Sequence, residues 1–206
     1  PENSPYLVID DIEVFPYTTL SIESGVEVVF MGDYDFVVNG QLLVEGTESD
    51  SVLFTTADDV GEWKGIDLHY TTDVSEFHYV EIEDANRPLD VYFAQDVNIS
   101  NSHIHSFTNN AIYINDTFAD INISNSMIED GNGYIIYAED TFLNLDQVTL
   151  MNSSDGIYYS GSGQLSILNS DISANGYALK YNANNVNNII SGSTFSNSNY
   201  GMEITQ

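Results

Sequence analysis

The chain has 206 residues, 42% of them hydrophobic and 12% aromatic, which is too apolar for a disordered chain and enough for one sizeable core or an elongated solenoid. Its 32 acidic and three basic residues give a formal net charge of −29, which disfavours nucleic acid, anionic membranes and polyanionic substrates because each requires a basic patch. The absence of cysteine excludes disulfides and thiolate chemistry, and no apolar run of 18 residues predicts membrane insertion.

The N-terminal segment begins with PENSP, a composition typical of a linker. We therefore predict one domain over residues 1–206, in which residues 1–18 form an N-terminal linker or cap and residues 19–206 form the repeating structure. Strand-like apolar runs begin at once and are separated by turn-forming pairs that contain glycine. These runs lie at residues 20–22, 26–30, 36–38 and 42–44.

A repeat becomes plain in the second half, where VNISNS at residues 97–102 recurs as INISNS at residues 121–126. Polar residues alternate with the apolar positions, which is the period of β-strands rather than of helices. A period of 22 to 24 residues with short strands predicts an all-β fold, the right-handed parallel β-helix, whose coils are stable only when stacked. Four apolar columns keep this register: Ile99, Ile123, Leu145, Ile167 and Ile190; Ile104, Ile128, Leu150, Ile172 and Phe195; Ala111, Ile135, Ile157, Leu179 and Met202; and Tyr113, Tyr137, Tyr159, Tyr181 and Ile204.

Two columns carry residue types with a structural interpretation. The tyrosine column has the same phase as the core, so we predict an inward aromatic stack rather than a sugar-binding platform. A column of amides follows the first apolar column, and we predict a ladder in which each amide bonds its copy in the next coil. The predicted core stack is Tyr113, Tyr137, Tyr159 and Tyr181, and the predicted ladder is Asn101, Asn125, Gln147 and Asn169.

One group of ionisable residues stands out from the acidic background. Stacking of successive coils places His103 beside Glu81, and His105 between Glu83 and Glu129, all on one outward sheet face. Imidazole and carboxylate at strand spacing suit a transition-metal site or an acid–base pair. The alternative is an exposed ladder in which carboxylates simply partner the two histidines. Ca²⁺ or another divalent cation is the only cofactor class that the acidic turns and this group suggest.

The N-terminal half resembles the opening coils of secreted bacterial right-handed β-helix repeat proteins in the pectate-lyase-like superfamily. The resemblance rests on LSIESGVEV at residues 20–28, VNGQL at 38–42, EGT at 45–47, VLFT at 52–55 and WKGI at 63–66. It departs from the usual pattern at Ser24, where proline is common, and at Lys64, where glycine is expected. The resemblance implies the fold, but the superfamily includes lyases, hydrolases, epimerases, adhesins and structural coils, so it implies no single function.

Catalysis is not favoured by the distribution of charge. A lyase of this superfamily uses a basic residue as the base, yet Lys64, Arg87 and Lys180 are scattered along the chain. We therefore predict a non-catalytic extracellular or cell-surface module with a structural or adhesive role. The alternative is a carbohydrate-active enzyme or carbohydrate-binding module, for which Trp63, Tyr92 and Tyr158 are the outward aromatic candidates.

The predicted partners follow from the same features. The last strand-like run ends near residue 206 without a cap, and an open strand edge favours self-association or contact with flanking domains. Head-to-tail stacking of this kind would produce filaments. A polysaccharide partner fits the alternative function, whereas nucleic acid and membrane insertion are disfavoured.

Overall fold

The computed structural model describes residues 2–115, 119–183 and 187–205, so that Pro1 and Gln206, the bounds of the predicted domain, lie outside the described residues. Every regular element in these ranges is a β-strand. Within them, a helix long and apolar enough to cross a membrane is absent. The strands are β1 (Tyr6–Val8), β2 (Ile12–Val14), β3 (Thr19–Glu23), β4 (Glu27–Phe30), β5 (Asp35–Val38), β6 (Gln41–Glu45), β7 (Val52–Thr56), β8 (Gly65–His69), β9 (Ser75–His78), β10 (Val80–Glu83), β11 (Leu89–Tyr92), β12 (Val97–Ser100), β13 (His103–Phe107), β14 (Ile112–Asn115), β15 (Asp120–Ser124), β16 (Met127–Asp146), β17 (Thr149–Leu168), β18 (Asp171–Ser173), β19 (Tyr177–Asn182), β20 (Ile189–Ser191), β21 (Thr194–Ser196) and β22 (Tyr200–Thr205).

The strands form a parallel β-solenoid of about eight turns, as the repeat predicted. Three faces run along it. The first face contains β1, β4, β7, β10 and β13, the second contains β2, β5, β8, β11 and β14, and the third contains β3, β6, β9, β12 and β15. Strands β16 and β17 each follow the chain around a whole coil and contribute to all three faces. Strands β18 and β21 continue the first face, β19 and β22 the second, and β20 the third.

The core lies inside the coils and is built from alternate residues of each strand. Strand β10, for example, buries Val80 and Ile82 while its two glutamates point outward. Trp63, expected to be an outward aromatic, is instead fully buried and stacks on Phe30 with ring centroids 4.0 Å apart. Its indole Nε1 donates a hydrogen bond to the carbonyl oxygen of Glu83 at 2.9 Å, which satisfies the polar end of the ring.

The N-terminal segment differs from the predicted linker or cap at residues 1–18. Strand β1 pairs with β4, placing Val8 beside Phe30, and β2 pairs with β5, placing Val14 beside Val38. Both valines are buried. Residues 6–14 therefore supply two sides of the first coil.

The predicted inward column of four tyrosines is corrected by the strand pairing. Tyr113 pairs with Tyr137, and Tyr137 pairs with Tyr158 rather than Tyr159. Tyr113 and Tyr137 therefore point outward, whereas Tyr159 and Tyr181 lie in the core. The physical reason is a corner in each coil at which two successive residues both face inward, so that the alternation begins one residue later than simple counting assumes. These inward pairs include Ala111 with Ile112, Ile135 with Ile136, and Ala178 with Leu179.

The predicted amide ladder is also given a different explanation. Asn101, Asn125, Gln147 and Asn169 do align, but each is an exposed turn residue with φ between 49° and 57°. Asparagine is favoured there because it tolerates the left-handed conformation better than most residues. Among the described residues, no hydrogen bond joins these four amides to one another, and Asn169 Nδ2 donates to Asp146 Oδ1 at 3.0 Å instead.

An amide ladder does occur three residues upstream, on the third face. Asn122 Nδ2 donates to Asn98 Oδ1 at 2.9 Å, and Asn144 Nδ2 donates to Asn122 Oδ1 at 3.0 Å. These side chains point outward from β12, β15 and β16, which pair in register. The ladder ties three successive coils together through side chains as well as through the backbone.

The left-handed turn at Asn125 yields a stability prediction. Asn125→Ala should lower the free energy of unfolding by about 1 kcal/mol, because alanine pays the full steric cost of a positive φ. Asn125→Gly, the matched control, should stay close to the wild-type value because glycine adopts this conformation freely. Urea denaturation followed by circular dichroism measures both, and equal losses in the two variants would contradict the backbone explanation.

The corrected orientation of the tyrosines is tested by a second pair of variants. Tyr159→Ala should destabilise the protein by about 3–5 kcal/mol because it opens a cavity in the core and removes the hydrogen bond from the Tyr159 hydroxyl to the Thr141 carbonyl. Tyr137→Ala should cost only about 1 kcal/mol, since it removes outward stacking. Thermal unfolding compares the two. Similar losses would restore the single inward column.

Candidate functional site

The His–Glu cluster predicted from the sequence is assembled on the first face. It consists of Glu81, Glu83, His103, His105 and Glu129. Strand β10 supplies the first two glutamates, β13 the two histidines, and β16 the third glutamate. The alternation around Ile82, Ile104 and Ile128 buries the isoleucines and turns all five ionisable side chains outward. Glu81 pairs with His103, and His105 pairs with both Glu83 and Glu129, as predicted.

The contacts within the cluster run diagonally between coils. His103 Nε2 lies 3.1 Å from Glu129 Oε1, and His105 Nε2 lies 3.2 Å from Glu81 Oε1 and 3.5 Å from Glu83 Oε2. The two imidazole centroids are 4.3 Å apart. Diagonal neighbours on a sheet are within reach of long side chains, so these contacts need no unusual backbone.

Further hydrogen bonds anchor the edges of the His–Glu cluster. The Thr55 hydroxyl donates to Glu83 Oε1 at 2.8 Å, and His105 Nδ1 lies 3.0 Å from Ser106 Oγ. Each histidine thus has a carboxylate partner. One oxygen of Glu81 and one nitrogen of each histidine lie mutually within 4.8 Å, which also permits a shared cation. Metal binding here stays a prediction beside the ladder interpretation.

The adjoining column of polar residues has a conformational role. Asp84, Ser106, Asp130 and Asn152 follow the first face and all have φ between 55° and 58°. They are turn residues of the left-handed type, which explains the small polar side chains. Burial raises the pKa of Asp84, and the negative charge of Glu83 beside it raises that pKa further.

A second cluster, which the sequence interpretation missed, lies on the second face. This Asp67 cluster consists of Asp67 and His69 on β8 and Asp90 on β11. Asp90 pairs directly with Asp67, and one ligand-type atom of each of the three side chains lies within 4.8 Å of the others. Arg87 forms an ion pair with Asp90 Oδ2. The pattern DLH at residues 67–69 was a signal, but its partner was hidden by the irregular spacing of the early coils.

The Asp67 cluster contains the most strongly perturbed carboxyl of these groups. Burial raises the pKa of Asp67 to about 6, and the negative charges of Asp90 and Asp35 add to this while His69 opposes it. The Asp90 carboxylate, 3.4 Å from Nε2, raises the pKa of His69. Burial works against ionisation of Asp90, yet His69 and Arg87 outweigh it and lower the pKa of Asp90.

A tyrosine ladder continues the column of Asp67 and Asp90 along the second face. We use the name for Tyr113, Tyr137 and Tyr158. Ring centroids are 5.1 Å apart for the first pair and 4.6 Å for the second, with interplanar angles of 13° and 16°. The guanidinium of Arg87 lies 4.5 Å from the Tyr113 centroid and covers the outer ring of the ladder. Stacking at this separation leaves mainly ring edges and hydroxyls facing outward.

More aromatic rings flank the ladder. Tyr177 and Tyr200 stack with centroids 4.7 Å apart, and Tyr134 packs against the rings of the ladder. The Tyr137 hydroxyl donates to Glu139 Oε1 at 3.1 Å. Burial raises the pKa of Tyr137, and the Glu139 carboxylate raises it further. The phenol therefore stays protonated at any physiological pH.

The pKa of Asp67 predicts how stability depends on pH. Since the folded-state pKa of about 6 lies above the ordinary value of 3.8, the folded protein binds more protons and loses stability as pH rises through that window. Asp67→Asn should therefore stabilise the metal-free protein at pH 7.5 by on the order of 2 kcal/mol more than at pH 4.

Urea titrations at the two pH values, with a chelator present, measure this difference. Asp171→Asn, which changes an exposed aspartate on the first face, is the matched control and should show a much smaller change. A pH-independent effect of Asp67→Asn would contradict the raised pKa.

Comparison with known proteins agrees with the fold and adds no named relative. No curated protein matches the chain. The family model described as "Right handed beta helix region" matches residues 64–206, well over half of the chain. This range contains both clusters and the tyrosine ladder. On this match, together with the parallel three-faced solenoid, the chain belongs to the right-handed β-helix family.

Proposed function

We propose that this chain is a non-catalytic structural or adhesive module of an extracellular or cell-surface protein. The observation that carries the proposal is that chemically capable side chains on all three faces are used to join neighbouring coils. Amides join coils on the third face, histidine–glutamate contacts join them on the first, and stacked tyrosines join them on the second. Such pairings stabilise a solenoid, in which each coil contacts only its neighbours.

The basic side chains support the same proposal. All three are already paired with acids: Lys64 Nζ lies 2.7 Å from Asp35 Oδ2, Arg87 is paired with Asp90, and Lys180 Nζ lies 3.5 Å from Glu203 Oε2. A uronate lyase needs cationic groups to hold the substrate carboxylate and to abstract a proton. Basic residues that are dispersed and neutralised are poorly suited to either task.

The shape of the described surface gives further support. A cavity of about 410 Å³ is lined by inward residues of the first coils, including Val8, Ile12 and Ile22, and a second of about 140 Å³ is lined by Leu179, Met202 and others of the last coils. Both are apolar spaces continuous with the solenoid core. Neither contains the His–Glu cluster or the Asp67 cluster, so neither brings ionisable groups into a substrate-sized cleft.

A carbohydrate-binding role is the second candidate, and the tyrosine ladder is the observation that favours it. Two of the three cations of this acidic chain, Arg87 and Lys180, lie against tyrosine rings of the same face, at 4.5 Å from Tyr113 and 5.2 Å from Tyr177. Because stacking covers the ring faces within the ladder, a sugar would be held there through hydroxyls and ring edges rather than on a flat aromatic platform.

A polysaccharide panel distinguishes these functions. We expect no reducing ends and no unsaturated uronate to be released from neutral or acidic polysaccharides, with or without Ca²⁺ or Zn²⁺, because the described faces contain no free cationic base. Binding is read separately by affinity electrophoresis. Turnover that is lost in Glu81→Gln or His105→Ala would contradict the proposal and assign catalysis to the His–Glu cluster.

Binding without turnover would favour the second candidate, provided that it depends on the ladder. Tyr158→Ala should then weaken retardation in the gel, whereas Tyr17→Ala, which changes a tyrosine 88% exposed on the first coil, should leave it unchanged. Self-association and contact with flanking domains stay predictions of the same proposal.

A further inference from the structure

We propose that the Asp67 cluster binds one divalent transition-metal ion, of the Zn²⁺ or Mn²⁺ class, through Asp67, His69 and Asp90. Asp67 and His69 are two residues apart on β8, so both side chains leave the same side of the sheet. Asp90 occupies the position beside Asp67 on the next coil. Two adjacent strands thus supply three ligands to one point above the second face.

The distances fit an ion of this size. Metal–ligand bonds to imidazole nitrogen and carboxylate oxygen are about 2.0–2.2 Å long, so two ligand atoms on one tetrahedral or octahedral ion lie about 3–3.5 Å apart. His69 Nε2 and Asp90 Oδ1 are 3.4 Å apart, and all three ligand atoms are mutually within 4.8 Å. A side-chain adjustment of about 1 Å would bring Asp67 into the same shell.

A nitrogen without a hydrogen bond is the independent observation that points to a ligand. His69 Nε2 is buried from solvent, and among the described residues no group hydrogen-bonds to it with acceptable geometry. Leaving a buried polar atom unpaired is costly, and a metal ion would use its lone pair. The contrast is with His103 and His105, whose Nε2 atoms already lie 3.1 and 3.2 Å from glutamate oxygens.

Neighbouring groups hold the ligands in place. Arg87 occupies Asp90 Oδ2 and leaves Oδ1 turned towards His69. The ring of Tyr92 packs on the His69 imidazole at 70° with centroids 5.9 Å apart, and Asn39 Nδ2 donates to the His69 carbonyl at 2.7 Å. Outer contacts that fix ligand orientation are characteristic of metal sites.

The ligand set defines the class of ion. One imidazole with two carboxylates suits first-row transition ions, whereas Ca²⁺ and Mg²⁺ prefer an all-oxygen shell. Ca²⁺ in millimolar excess can therefore occupy diffuse acidic positions on a protein of net charge −29 without competing strongly at His69.

The small number of histidines makes the test direct. The chain has four, and the variant His103→Ala/His105→Ala leaves only His69 and His78, with His78 on the third face as an internal control. Imidazole carbon–proton NMR signals are recorded at pH 7.5 in excess Ca²⁺ while Mn²⁺ is added below one equivalent. We expect the His69 signal to broaden first and the His78 signal to persist.

Calorimetric titration with Zn²⁺ gives the second readout. In the same background, Asp67→Asn, which preserves side-chain shape, should weaken one-site binding at least tenfold, and His69→Ala should abolish it. Unchanged melting in the presence of a chelator, or the stabilisation predicted for Asp67→Asn, shows that the variants fold. Equal broadening of both histidines, absence of Zn²⁺ binding, or affinities unchanged in these variants would overturn the proposal.

Discussion

Every feature of this molecule depends on one constraint, which is that parallel strands of successive coils pair in register at a spacing of about 4.8 Å. That spacing places equivalent residues of neighbouring coils in direct contact. An outward residue repeated along the chain therefore becomes a stack, whether of amides on the third face or of tyrosines on the second. The same constraint lets two residues from one strand meet a third from the next, which is how both ionisable clusters arise.

The His–Glu cluster and the Asp67 cluster show how similar composition gives different chemistry. In the first, each imidazole nitrogen facing the cluster meets a glutamate, so the group is internally satisfied. In the second, Arg87 takes part of Asp90, and His69 Nε2 lacks a hydrogen bond. The smaller group is therefore less balanced than the larger one, although the larger one has more potential ligands.

Sequence reasoning recovered the fold and the His–Glu cluster because the coils from Val97 onward are regular and the alternation around Ile82, Ile104 and Ile128 is unbroken. It misplaced the tyrosines because both Ile135 and Ile136 are buried at a corner, and a period of two cannot show which residue begins the strand. It gave the wrong reason for the asparagine column, since a left-handed turn and an amide ladder favour the same residue type.

The Asp67 cluster could not be found in the same way. Phe36 pairs with Ile66, a step of 30 residues, whereas Ile66 pairs with Leu89 after 23. The longer first step breaks the register that the later coils establish, so Asp67 and Asp90 do not align by counting at a fixed period. Their contact follows from the backbone pairing, and their pKa values follow from burial, which the sequence does not reveal.

The placement of the aromatic residues has a spectroscopic consequence. The single tryptophan, Trp63, is buried against Phe30 in the early coils, whereas the tyrosine ladder lies in the later ones. A solenoid held together by nearest-neighbour contacts can lose coils progressively from one end. Tryptophan emission and tyrosine near-ultraviolet dichroism therefore report on separate segments, and any gap between their transitions gives the direction in which the coils come apart.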